Sequence, residues 1–171
     1  EVLGSGVSSV VSNKNLIKNT LFPIELIPVK AVFTSSVHMC VGLALLLIAL
    51  WCSGTFSYSQ FFVPILLILQ WLFSIGLIWL LAALNVFFRD ISQMISIFVL
   101  FLMLVSPIAY TPDMVPEKLK LILYLNPLYY LIMLYRKTLV EGIIPIDLLL
   151  TFSLIALGLF FFGYFIFFLF N

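Results

Sequence analysis

The chain has 171 residues, 64% hydrophobic and 9% charged, whereas a soluble domain is about half apolar and about a quarter charged. That excludes an ordinary water-soluble globular fold and any long disordered segment. Eight Lys/Arg against seven Asp/Glu leave a net charge of +1. No clustered positive charge exists to hold phosphates, which excludes nucleic acid as a partner.

The chain opens on Glu1, with no basic stretch leading into a short apolar one, so the expectation is a fragment and not a secretory leader. Residues 2–12 are small and apolar and read as the tail of an earlier membrane span. Residues 13–30 change character. Lys14 and Lys18 are four apart on one side, Ile17 and Leu21 are four apart on another, and Pro23 and Pro28 act as breakers. This predicts a short amphipathic helix and a Pro-bounded kink at a membrane surface.

Four apolar runs follow, 31–52, 61–88, 91–110 and about 147–170, and apart from Asp147 at its edge none contains an acid, a lysine or an arginine. Each is long enough to span a bilayer, which takes about 20 residues. The second would be about 42 Å long as a helix, so a tilt or a protrusion is expected. Cys40 and Cys52 lie in the first run, about 18 Å apart on a helix, too far for a disulfide between them. No Cys/His spacing for a metal is present.

In the spans, His38 reads as a satisfied neutral histidine. Gln70 with Ser74, and Ser92 with Ser96, read as polar glue between helices. Trp51 reads as an interface anchor, Trp71 and Trp79 as packing or channel lining, and Phe160 to Phe170 as lipid-facing bulk. Ser106-Pro107 predicts a kink in the third run. Asp90 and Gln93, three apart, fit a capping box at its start, with Arg89 on lipid headgroups.

Between the third and fourth runs, 111–146 holds two helical pieces of about ten to fourteen residues separated by Asn126-Pro127. Pro127 interrupts any single crossing made from both. A broken hairpin dipping part-way into the membrane is expected, because such backbone is tolerated where protein or water covers it. With 13–30 on the cytoplasmic side, Lys14, Lys18, Lys30 and Arg89 lie inside, and Lys118, Lys120, Arg136 and Lys137 lie outside. A fifth full crossing would move Arg136 and Lys137 inside, which the positive-inside rule favours. The Asn126-Pro127 break opposes it. The predicted fold class is therefore an all-α polytopic membrane protein with about four transmembrane helices and a broken re-entrant helical hairpin on the outer side.

The order NLIKNTLFPIELIPV, a span pair, NVFFRDI, SPIAYTPDMVPEKLKLILYLNPLYYLI and YRKTLVEG resembles the transmembrane subunit of bacterial type-2 ABC exporters of polysaccharide, which move O-antigen, teichoic acid or capsule chains. The most specific pieces are FPIELIP, FFRDI, SPIAY and the MVPEK to NPL block in this order. The family has six spans, so the resemblance implies that this chain lacks the first two. Residues 1–30 would be the end of a preceding span and a cytoplasmic amphipathic coupling segment, and 31–171 the transmembrane permease domain, with the hairpin over about 115–140.

The resemblance also implies partners: a cytosolic ABC ATPase, a second copy of the chain, the lipid bilayer of the bacterial inner membrane and a polysaccharide substrate. No cofactor is expected in this chain, and ATP with Mg belongs to the partner subunit. The residues agree independently. The spans show no mid-membrane acid or base of the kind ion-driven transporters keep, and no Walker-type loop is present. The work must then come from another subunit.

Two groups of candidate residues follow. Lys14, Lys18, Phe22 and Glu25, with Arg89 and Asp90, would contact the ATPase. Tyr110, Tyr124, Asn126, Pro127, Tyr129, Tyr130 and Tyr135 would form the channel mouth or outer gate. Aromatic rings offer apolar faces to sugars, and their hydroxyls hydrogen-bond. An aromatic belt at the outer interface explains the same tyrosines without any substrate. Three alternatives remain open: a type-2 exporter of a drug or lipid, a membrane-embedded glycan-modifying enzyme using Asp113, Glu117 or Glu141, and a purely structural membrane subunit.

Overall fold

The computed structural model describes residues 2–7, 9, 24–88, 90–108 and 110–170, without the side chains of Ser5, Ser92 and Asp113. The described residues are helical throughout, with short turns between. The elements are α1 (Val2–Val7), α2 (Leu26–Cys52), α3 (Val63–Phe87), α4 (Ile91–Val105), α5 (Glu117–Leu125), α6 (Pro127–Arg136) and α7 (Ile146–Phe170). Helices α2, α3 and α7 have the length and apolar composition to cross a bilayer. At 27, 25 and 25 residues they are each about 40 Å long.

The crossing expected over 91–110 is shorter. Helix α4 has 15 residues, about 22 Å, against a hydrocarbon core of about 30 Å. Its end is set by Ser106-Pro107. A residue before proline is pushed out of the helical region, and Ser106 is extended, with ψ 137°. The helix thus stops at Val105 and the chain turns, the Ile108 N–H donating to the Ser106 carbonyl at 2.8 Å, so the described part of 91–110 is not one kinked span. At the other side, Pro28 does not kink the chain but sits in the first turn of α2, where a missing N–H costs nothing. Residues 26–30 therefore belong to the long helix.

Helices α3 and α7 form the spine and run in the same direction. Phe73 faces Phe152 at 5.6 Å, Trp79 lies among Phe160, Tyr164 and Phe167 at 5.2, 5.4 and 6.5 Å, and Phe87 meets Phe170 at 5.1 Å. Gly76 and Gly163 let the backbones touch. A Cβ on Gly76 would lie 2.5 Å from the Leu159 carbonyl oxygen, and one on Gly163 would collide with the carbonyl of Gly76. Small residues at such crossings supply the close van der Waals contact that holds helices together in lipid. Phe167 is buried in this seam, while Phe161, Phe165 and Phe168 are exposed. The Phe-rich end of the chain is thus half seam and half lipid face, because one helix cannot turn every phenylalanine outward.

Helix α2 leans on α3 through Trp71, whose Nε1–H donates to Ser36 Oγ at 3.0 Å and whose ring meets Phe33 at 5.3 Å. Trp79 donates to the Glu25 carbonyl at 3.0 Å. Both tryptophans are packing residues with satisfied N–H groups. His38 is exposed on α2 and makes no hydrogen bond among the described residues, so it is not the satisfied histidine expected.

Candidate functional site

The hairpin is assembled from α5, an extended Asn126 and α6. Asn126 has ψ 114° and caps α6, its Oδ1 accepting from the Leu128 N–H at 3.0 Å, and Pro127 takes the first helical position. These two residues make the break that the sequence predicts, because Asn is a strong N-cap and Pro suits the first turn. Asn126 is buried. Its Nδ2 donates to Ser106 Oγ at 3.0 Å, and Ser106 donates onward to the Leu102 carbonyl at 2.6 Å. One end of α6 is therefore tied to the end of α4.

The other end of α6 is tied to the same stretch. Arg136 donates from Nη1 to the Tyr110 carbonyl and from Nη2 to the carbonyls of Pro107 and Ile108, each at 3.2 Å. The guanidinium fork suits several acceptors at once, and hydrogen bonds to a charged group are worth about 1.5–3 kcal/mol net. Sequence reading treats Arg136 only as a topology charge, since nothing local marks a cation that will meet carbonyls 26 to 29 residues away.

After α6, a π-turn over Lys137–Glu141 ends at Gly142, whose φ of 71° suits glycine. Here Ser59 donates to the Thr138 carbonyl at 2.7 Å, and Gln60 Nε2 donates to the Leu139 carbonyl at 3.3 Å and to that of Thr55 at 2.9 Å. Trp51 donates to Gln60 Oε1 at 2.7 Å. Ser59, Gln60 and Thr138 are all buried. The exit of the hairpin is thus bound to the turn between α2 and α3. Its entrance, at Tyr110, is held by Arg136 at that same exit, so both limbs start and finish at one end of the bundle. Trp51 is an anchor, but to a buried glutamine.

The tyrosines divide. Tyr124 meets Tyr129 edge-on at 5.3 Å, Tyr129 meets Tyr130 at 5.3 Å, and the Tyr130 hydroxyl donates to the Tyr124 carbonyl at 3.0 Å. Tyr110 packs beside Leu123 and Tyr129 and donates to the Val105 carbonyl at 2.5 Å. Tyr124 is exposed, whereas Tyr129 is buried. Tyr135 lies apart from this group. Its hydroxyl donates to Gln70 Oε1 at 2.8 Å, and Gln70 Nε2 contacts the Met39 sulfur at 2.8 Å. Gln70 is therefore helix glue, as expected. Around this pair Met39, Leu43 and Leu131 line an apolar groove of about 370 Å³. The five tyrosines thus do not form one continuous surface.

Of the other candidates, Lys14, Lys18, Phe22 and Arg89 lie outside the described residues. Glu25 sits in the turn before α2 with its carbonyl on Trp79, eight residues short of the end of α3, and Asp90 lies beyond that end. The structure does not bring Glu25 and Asp90 together. The expected capping box is also absent. Asp90 is itself helical, with φ −70° and ψ −17°, and its side chain makes no cap bond. The Gln93 and Met94 amides are served by the Asp90 carbonyl.

Among the residues the sequence does not single out, Asn85 stands out. It is buried in α3, donates to the Val7 carbonyl at 3.1 Å and leaves Oδ1 with no partner among the described residues. An amide in an apolar helix is the signal that could have found it.

Comparison with known proteins agrees with this architecture. The family model described as ABC-2 type transporter matches residues 2–140. The chain is 30% identical over 138 residues to a Klebsiella pneumoniae protein named O-antigen export system permease protein RfbA, covering 80% of this chain and 53% of that protein. A second Klebsiella pneumoniae protein of that name is 32% identical over 136 residues, covering 78% and 52%. One of the same name from Myxococcus xanthus is 25% identical over 146 residues, covering 84% and 56%. The chain spans about half the length of these curated relatives. With its long apolar helices it is a multi-pass membrane protein, and it belongs to the ABC-2 type transporter family of permeases.

Proposed function

We propose that this chain is part of a permease subunit of an ATP-driven exporter that carries a lipid-linked polysaccharide across the bacterial inner membrane. The observation that carries the reading is the kinship with proteins named O-antigen export permeases. The hairpin adds support, since a broken helix pair with both limbs at one end of an apolar bundle is a re-entrant element and not a crossing. Its limbs lie on the outer side, where Tyr124 and Tyr130, braced by Tyr110 and Tyr129, meet the sugar chain. Asn126 and Pro127 form the tip, and Tyr135 anchors the exit limb against α3.

A cytosolic ATPase, with ATP and Mg in its own site, drives the cycle. It presses on the 13–28 segment through Lys14, Lys18, Phe22 and Glu25, with Arg89 and Asp90 as a second contact. Closure of the ATPase pair moves the helices of two permease copies as rigid bodies, and the polymer passes between them.

The test uses the full-length permease with its ATPase. Alanine replacements across 13–28 lower export several-fold while membrane insertion stays intact, read by surface glycan and by fractionation. Normal export in those variants overturns the coupling role. Cysteines at Lys118 and Lys137, in a background without Cys40 and Cys52, both react with an impermeant reagent from outside. Reaction from opposite faces overturns the re-entrant hairpin.

A further inference from the structure

We infer that Arg136 and Asn126 are positioning residues that lock α6 to the end of α4, so that α6 is the fixed post of the hairpin and α5 is its moving leaf. The inference rests on the export reading only for what the motion serves.

Helix α6 is bonded on three sides. At one end the Asn126 amide joins Ser106, and through it the Leu102 carbonyl of α4. At the other, Arg136 holds three carbonyls of the 107–110 stretch. The exit is fastened to the α2–α3 turn through Ser59 and Gln60, and Tyr135 reaches Gln70 on α3. Leu131 and Leu134 complete the attachment, buried with Leu66, Phe73 and Phe152 of the spine.

Helix α5 has little of this. Leu119, Leu121, Ile122, Tyr124 and Leu125 are all exposed, and Leu123 is its only buried residue. It touches α6 through Leu123, the Tyr124–Tyr129 ring pair and one hydrogen bond, from the Tyr130 hydroxyl to the Tyr124 carbonyl. Both its ends are extended, at Pro116 (ψ 142°) and Asn126 (ψ 114°), and such element-terminal positions are where backbone rotation is absorbed. Any rearrangement of the hairpin therefore turns α5 about Asn126 and leaves α6 with the spine.

The experiment places spin-label pairs in the full-length permease bound to its ATPase. One pair joins position 121 on α5 to position 150 on α7, and the other joins 140, just after α6, to 150. All three sites are exposed, at 67%, 59% and 64% for Leu121, Leu150 and Val140. Between nucleotide-free and ATP-trapped states, the 121–150 distance shifts by several ångströms and the 140–150 distance stays. A joint shift of both pairs, or a shift of 140 alone, overturns the inference, as does the absence of any shift. An ATP-dependent shift of 121 alone in a protein that exports no glycan upholds the latch and removes the glycan reading.

In Arg136→Gln the 140–150 distribution broadens and the polymer exported per ATP hydrolysed falls several-fold, with Arg136→Lys recovering part of both. That ratio does not move when a variant merely lowers the amount of folded protein. An unchanged ratio together with an unchanged distribution in Arg136→Gln overturns the latch.

Discussion

The α3–α7 spine and the hairpin are held by different forces. In the spine the contacts are apolar and close: glycine backbones touching, and aromatic rings at 5.1 to 6.5 Å. In the hairpin the fastening is polar and directional: an amide on a hydroxyl, a guanidinium on three carbonyls, a serine and a glutamine on the exit turn. Close packing in lipid is cooperative and has no graded intermediate, because every surrounding atom must shift to open it. The hydrogen bonds hold α6 by direction instead, each fixing one named pair of groups. A transporter needs one region that keeps its shape while another is displaced, and here α3–α7 and the latched α6 keep theirs while α5, with Leu123 its one buried residue, has little of either fastening.

The largest effect that would break this contrast is at the glycine crossing. Gly163→Leu forces side-chain atoms into the Gly76 backbone, and overpacking of this kind costs about 3 kcal/mol. The expected outcome is loss of the folded protein from the membrane, measured by detergent-resistant yield and unfolding in denaturant. Tolerance of leucine there would mean the spine is not rigid. Next is Asn126→Ala, which removes the cap of α6 and the amide that donates to Ser106 Oγ. The cap alone is worth about 1 kcal/mol, and the change should leave α3–α7 contacts intact while loosening the hairpin, visible as faster proteolysis near residue 126. A smaller effect belongs to Tyr135→Phe combined with Gln70→Leu. Hydrogen bonds between membrane helices average about 0.6 kcal/mol in double-mutant cycles, and a coupling energy of that size is expected. A value near zero would remove Tyr135 from the ties on α6.

Much of the spine is legible in the sequence, because uncharged runs of twenty or more residues have few alternatives in a bilayer. The Asn126-Pro127 break is legible for a local reason: both residue types act through their own backbone. The end of α4 is half legible. Ser106-Pro107 marks the place, but whether such a pair bends a helix or stops it depends on what receives Ser106, here Asn126 twenty residues away. Arg136, Gln60, Ser59 and Asn85 bond to groups 26 to 79 residues distant, and no pattern of neighbours encodes such a partner. The tyrosines illustrate the converse. Their clustering in sequence suggests one surface, yet the 3.6-residue turn of α6 sends Tyr129 toward α5 and Tyr135 toward Gln70.

The smallest structural effect sits at Asp90 and sharpens the comparison most cleanly. Had its carboxylate capped α4, replacing it would cost about 1 kcal/mol and would blur any functional reading. Asp90 is exposed and makes no cap bond, and the first free amides of α4 are served by its own carbonyl, which every residue type possesses. Asp90→Ala should therefore change stability by less than about 0.5 kcal/mol, as surface substitutions do. If the residue meets the ATPase, export should fall several-fold in the same variant with insertion and unfolding unchanged. Asp90→Lys should lower export likewise, and a charge-reversed partner surface should restore it in that variant. Export at the original level would assign Asp90 to the solvated face of the bundle and leave the 13–28 segment as the contact through which force enters.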